Sequence, residues 1–158
     1  MRKSLVEELL KIMEVNKDIY FITADLGYFL FDRIRDQFPD RFVNTGASEF
    51  SAVGMAVGLA KMGKIPFVYS ITPFLMYRAF EMIRNYVDFE KIPIILLGGG
   101  RDNDYHIDGQ THDSTDLKPI LDNLNNIKQY WPETAEEIPN LVKKVIKDEK
   151  PTFISLRK

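Results

Sequence analysis

The residues able to do chemistry fall in a few short stretches of this 158-residue chain. Residues 44–60, NTGASEFSAVGMAVGLA, carry one carboxylate, Glu49, among small, apolar and hydroxyl side chains. A lone acid in the first turn of a helix gains roughly 0.3–1 kcal/mol from the helix dipole, which is its plain structural reading. The small residues that follow, Ala52, Gly54, Ala56, Gly58 and Ala60, ask for more. Each Gly costs roughly 1 kcal/mol against Ala inside a helix, so a backbone this bare suits close approach by another helix or subunit.

Residues 98–116, GGGRDNDYHIDGQTHDSTD, hold both histidines of the chain and many of its aspartates. Such loops are ordinarily solvated turns. Gly98, Gly99 and Gly100 also permit positive φ and close approach of a ligand. His106, Asp108, His112 and Asp113 are plausible metal ligands, yet their spacing matches no metal motif, and no metal site is assigned. GGGR lacks the helix start and spacing of a dinucleotide loop, and GxxxxGK(S/T) is absent. Phe74 and Tyr77 lie one helical turn apart, as do Arg78 and Met82. Core packing is the ordinary fate of such pairs; the functional reading is a flat apolar wall for an aromatic ligand.

The elements that must position these residues alternate along the chain. Strand-like runs occupy 19–26, 41–46, 65–71, 92–99, 127–131 and 151–156, several of them almost continuously apolar, as in strands covered on both faces. Helix-like segments run from Ser4 to Val15 and start near Leu30, Ser48, Phe74, Thr115 and Thr134. The alternation predicts an α/β fold, a doubly wound and mainly parallel sheet of about six strands with helices on both faces. Ligands bind such sheets outside the carboxyl ends of the strands. Position alone therefore gathers Asp25, Glu49, Phe74, Tyr77, Asp108 and His112 on one edge.

Composition sets the outer bounds. The chain is long enough for one domain with a real core and too short for two ordinary ones. Its net charge of -2 gives no electrostatic case for nucleic acid or an anionic membrane. Cys is absent, which excludes disulfides, thiolate catalysis and Cys-based zinc sites. The charged N-terminus is no signal peptide, and no apolar run has the length of a membrane span. A cytoplasmic protein is expected.

Taken in order, the motifs resemble the pyrimidine-binding domain of transketolases, within the thiamine-diphosphate enzyme superfamily. The matching stretches are ITADLG, FPDRFVNTGASEFSAVGMAVGLAKMGKIPFVYSITPF, YRAFEMIR and DGQTH, collinear from Arg2 to the closing PTFISLRK. The resemblance implies a single domain over 1–158 and gives Glu49 a role, a hydrogen bond to a ring nitrogen of the cofactor's aminopyrimidine. Burial in a mostly apolar pocket favours the protonated carboxyl, which then shares a proton with that nitrogen and activates the thiazolium carbon for attack on a ketose carbonyl. By the same likeness Ile71, Phe74 and Tyr77 surround the pyrimidine, and Asp25 lies near the cofactor and the subunit interface. Asp108 and His112 match contacts to donor hydroxyls, with Gln110 where the family has Pro. Glu49, Asp108 and His112 are thus the catalytic set, and Arg2 and Trp131 join the substrate contacts. The helix after Glu49 is expected at a dimer interface.

The resemblance also implies what this chain does not carry. The family's GDG motif with its following Asn, which holds Mg²⁺ in the diphosphate-binding domain, is not found here, and neither is a third domain. The expectation is therefore half of a thiamine-diphosphate site in a hetero-oligomer with a dimeric core. A diphosphate-binding partner chain would supply Mg²⁺, and the substrates would be small sugars. Ketol transfer is the first reading, and a two-chain 2-oxo acid decarboxylase is the second. A module that kept the fold without the chemistry, or an unrelated receiver-like or flavodoxin-like binding domain, completes the alternatives. Phe29, Gly100 and Trp131 fall where phosphate contacts are expected, which points to an acceptor other than an aldose phosphate.

Overall fold

The computed structural model describes residues 1–158. Six strands form one sheet in the order β2-β1-β3-β4-β6-β5, and every pairing is parallel. The strands are β1 (Ile19–Thr23), β2 (Phe42–Asn44), β3 (Ile65–Ile71), β4 (Ile95–Gly99), β5 (Lys128–Tyr130) and β6 (Thr152–Leu156). Alternate side chains enter two cores. Phe21, Phe67, Tyr69, Ile95, Leu97 and Ile154 face α1 (Arg2–Val15), α2 (Asp32–Gln37) and α6 (Ile138–Asp148). Ile22, Val68, Leu96 and Phe153 face α3 (Glu49–Lys61), the helical segment 74–89 and α5 (Leu117–Leu121). The doubly wound parallel sheet is the architecture expected from the alternation of elements.

Boundaries moved where a local rule won. β1 stops at Thr23 because Asp25 takes a left-handed φ of 54°, and β4 begins only after Pro93, which has no N–H for the ladder. The helix expected near Thr134 opens as a capping box, with the Glu137 carboxylate accepting from the Thr134 N–H at 2.8 Å. That expected near Thr115 shrinks to the five residues of α5.

The largest departure follows β3. Residues 74–89 are not a plain α-helix: two π-helical turns, Phe74–Arg78 and Ile83–Phe89, flank a single α-turn, α4 (Phe80–Met82). Bonding from i to i+5 widens each turn, so residues three apart no longer share a face while residues four apart still do. Phe74 and Arg78 stay together and Tyr77 turns away.

The strand order reverses at β1, whose chain neighbour β2 lies on one side and β3 on the other. The crevice outside the carboxyl ends of β1 and β3 is the switch point where such sheets take ligands, and α3 starts there.

Candidate functional site

Glu49 is the first residue of α3 and is 1% exposed. Its Oε1 accepts a 2.8 Å hydrogen bond from Ser70 Oγ, on β3. Its Oε2 accepts from Arg78 Nη1 at 3.1 Å. The pocket is therefore not the mostly apolar one expected: a hydroxyl and a guanidinium hold the two oxygens, as a buried carboxylate requires.

Arg78 closes the first π-turn, and its guanidinium carbon lies 3.8 Å from the centre of the Phe74 ring. Phe74 in turn meets the His112 ring edge-on at 4.7 Å. His112 faces Tyr105 at 6.3 Å, and the Tyr105 hydroxyl accepts from Arg2 Nη1 at 3.0 Å. A continuous row thus runs from Glu49 through Arg78, Phe74, His112 and Tyr105 to Arg2. Four residues singled out in the sequence, Glu49, Phe74, His112 and Arg2, come together in it. Arg2 reaches the row because α1 runs back over the sheet and begins at the same edge. The same guanidinium lies 3.5 Å from the hydroxyl of Tyr69, whose pKa is pushed up by burial and partly held back by Arg2.

Tyr77 does not join the aromatic wall. Its hydroxyl donates to Asp116 across the mouth of a 570 Å³ polar cavity that His106, Gly109, Gln110, Asp113 and Thr115 also line. Burial and the Asp116 carboxylate raise its pKa. Asp108 sits exposed in a 3-10 turn, His106–Asp108, one turn before His112. Ile71 ends β3 opposite Gly99 and is part-exposed at the crevice. Asp25 stands exposed beyond β1, accepting from the Tyr28 hydroxyl and lying 3.4 Å from Asn44 Nδ2.

Trp131 does not join this row. β5 is the outermost strand, and the indole beyond it packs on Phe153 at 5.9 Å and beside the Arg101 guanidinium. It lies apart from the row around Glu49, whereas Phe29 is 92% exposed at the crevice-side loop. The triple glycine also has another cause than a ligand. A Cβ at Gly98 would lie 2.6 Å from Thr72 Oγ1, and one at Gly99 would lie 2.4 Å from the Tyr69 hydroxyl. Only Gly100 has positive φ, +84°, with Tyr105 against it.

Two contributors lie outside the set of residues that the sequence marks for the site. Arg78 is visible there only as a helical neighbour of Met82, and its spacing of four from Phe74 is the available signal. Ser70 carries none beyond its polarity in an apolar strand. Arg101, buried at the head of the fourth loop, donates to Ser155 Oγ (3.1 Å), Ser155 O (2.8 Å), Pro132 O (2.7 Å) and Glu133 Oε1 (2.9 Å). It fixes that loop to the ends of β5 and β6. No three His, Asp or Glu side chains gather as a metal-ligand set, and no helix is long and apolar enough to cross a membrane.

The family profile "Transketolase, pyrimidine binding domain" matches residues 1–158. The chain belongs to this family. Among transketolase relatives, it is 27% identical to a 6-deoxy-6-sulfo-D-fructose transketolase subunit from Clostridium sp. (strain MSTE9), over 99% of this chain and 49% of that protein. It is 32% identical to one subunit of an apulose-4-phosphate transketolase from Actinobacillus succinogenes, over 76% of this chain and 39% of that one. A solved structure described as "Split gene transketolase, inactive beta4 tetramer" superposes with a TM-score of 0.86 at 28% identity, over 99% of this chain and 50% of that chain. The chain thus spans half or less of the length of these transketolase relatives.

Proposed function

We propose that this chain binds the aminopyrimidine of thiamine diphosphate and that a second chain, holding the diphosphate and Mg²⁺, completes the active site of a transketolase that moves a two-carbon ketol unit between sugars. The observation that carries the reading is Glu49, a buried carboxylate at the switch-point crevice with an aromatic face and a loop histidine in one row beside it. These residues fit the pyrimidine end of the cofactor. Ser70 orients the carboxyl, Glu49 exchanges a proton with a ring nitrogen, and Phe74 offers a flat apolar wall. They do not fit Mg²⁺, for want of a ligand set, and no step is assigned to the metal. When bound, the cofactor supplies a thiazolium carbon that adds to a carbonyl and stabilises the resulting carbanion.

Ketol transfer is favoured over 2-oxo acid decarboxylation by the loop. His112 is held against Phe74 at 4.7 Å, within reach of a donor at the crevice, and Asp108 lies exposed one turn away. A decarboxylase has no need of such a grip on sugar hydroxyls. The names of the two relatives, each a subunit of a transketolase, support both the chemistry and the division between chains. The test is co-expression with a candidate partner that carries GDG and its following Asn, then hydrogen–deuterium exchange at the thiazolium carbon of the bound cofactor. Glu49→Gln keeps the shape and loses the acid. Exchange should fall by on the order of a hundredfold or more, as for loss of a positioned acid–base group. Exchange equal to wild type would reduce Glu49 to a helix-dipole residue.

A further inference from the structure

We infer that Arg78 is an exchangeable counter-ion of the pyrimidine site, which the ligand's ring must displace from Glu49 and from the face of Phe74. The inference rests on the function proposed above and names a residue that the family resemblance did not assign.

One side chain covers both groups that a pyrimidine would use. Arg78 Nη1 occupies Glu49 Oε2 at 3.1 Å, and its guanidinium carbon lies 3.8 Å from the Phe74 ring centre. A ring nitrogen sharing a proton with Oε2 while its ring lies on Phe74 excludes the guanidinium from both places. The arrangement is suited to exchange. Arg78 is 48% exposed on its side chain while Glu49 is 1% exposed, so the arginine has a path to water and the glutamate has none. A buried carboxylate stripped of its partner is costly; one proton taken up from solvent and shared between Oε2 and the ring nitrogen makes good what the departing guanidinium removes. Ser70 keeps Oε1 throughout, so the carboxyl holds its orientation while Oε2 changes partner. The backbone need not move. Tyr77, the preceding residue, is tied to Asp116, and the exchange is a rotation of the Arg78 side chain alone.

Two effects follow from Arg78 being a competitor. Its removal weakens the unliganded fold, because Glu49 Oε2 loses its partner, and strengthens ligand binding for the same reason. A guanidinium that only stiffened the site would change both in the same direction.

The test uses the full chain and thiamine itself, which has the pyrimidine but no diphosphate and so does not depend on the partner's half. Titration by ¹H–¹⁵N NMR follows the Arg78 Nε–H resonance and the binding isotherm together. In wild type that resonance should move towards the position of a free arginine as thiamine saturates. Arg78→Gln should bind thiamine roughly tenfold more tightly, equivalent to about 1.4 kcal/mol, with a lower melting temperature. Arg78→Lys, which keeps the charge and loses the planar stack, should fall between. If Arg78→Gln does not fold, the wild-type resonance and the Arg78→Lys isotherm decide alone. Saturable binding with an unmoved Arg78 resonance, or with affinity unchanged or weakened in the variants, overturns the exchange and leaves the proposed function standing. Absence of saturable binding in every form overturns the exchange, and hydrogen–deuterium exchange on the co-expressed complex decides the proposed function separately.

Discussion

Tyr77 shows at the scale of one residue how a backbone hydrogen-bond pattern redirects chemistry. The sequence places it one α-turn from Phe74, and the π-turn swings its hydroxyl onto Asp116 instead. Partial burial and that carboxylate both disfavour the tyrosinate, so the folded pKa lies above the unfolded value. The fold therefore binds this proton more tightly than the unfolded chain does. The associated stability is whole below about pH 10 and is lost as pH rises through the folded value. Absorbance titration of tyrosinate should show the native chain lagging its denatured form above about pH 10. Tyr77→Phe should remove one late step from the seven tyrosines. A variant curve short of an ordinary step near pH 10 would mean that Tyr77 is solvated and unpaired. Glu49, Phe74 and His112 are legible from type, position after the strands and family likeness, and Arg2 from the likeness alone. Arg78 is not, because its role depends on a guanidinium laid across Phe74, and periodicity says nothing of where a long side chain ends.

At the scale of elements, the strands are the easiest to read, since apolar runs covered on both faces leave few alternatives. The reasons for their glycines are not readable. Gly98 and Gly99 make room for Thr72, Phe153 and Tyr69 from within the chain, a tertiary cause that looks like a ligand-binding loop in one dimension. The helix α3 gives the opposite case. A Cβ at Gly58 would meet nothing within 4 Å, and one at Gly54 would touch only Met82. Apart from Met82, nothing in the chain approaches the backbone at these two glycines, which leaves a subunit, of the two approaches that the sequence suggests, to do so. Phe50 and Met55 on the same helix and Met62 at its C-cap stand exposed, leaving an apolar face that a second subunit would cover. Gly58→Leu should overpack such a contact by about 1–3 kcal/mol without disturbing the chain's own core, where no atom is near. Sedimentation should show smaller species for the variant at equal concentration, with an unchanged circular dichroism spectrum. Unchanged assemblies in the variant would place the subunit contact elsewhere.

At the scale of the whole molecule, strand order decides which loops share a site, and sequence order does not reveal it. Trp131, expected among the substrate contacts, follows a strand as the residues of the Glu49 row do. That strand lies at the far edge of the sheet from the crevice, separated from β3 by β4 and β6. The carboxyl edge also decides what the chain can hold by itself. Arg78 is committed to Glu49, and Arg2 to Tyr69 and Tyr105. Asp25, Asp108, Asp113 and Asp116 lie in the loops of this edge, and their charges oppose a diphosphate. No cluster of side chains is ready for the Mg²⁺ that would neutralise it. The diphosphate of thiamine diphosphate should therefore add nothing to binding by the isolated chain, which is expected to be on the order of millimolar, about -4 kcal/mol, and indifferent to Mg²⁺. Calorimetry with thiamine and with thiamine diphosphate, each with and without Mg²⁺, separates the contributions. Micromolar, Mg²⁺-dependent affinity for the diphosphate form alone would show that this chain holds the diphosphate itself and would remove the reason for a partner.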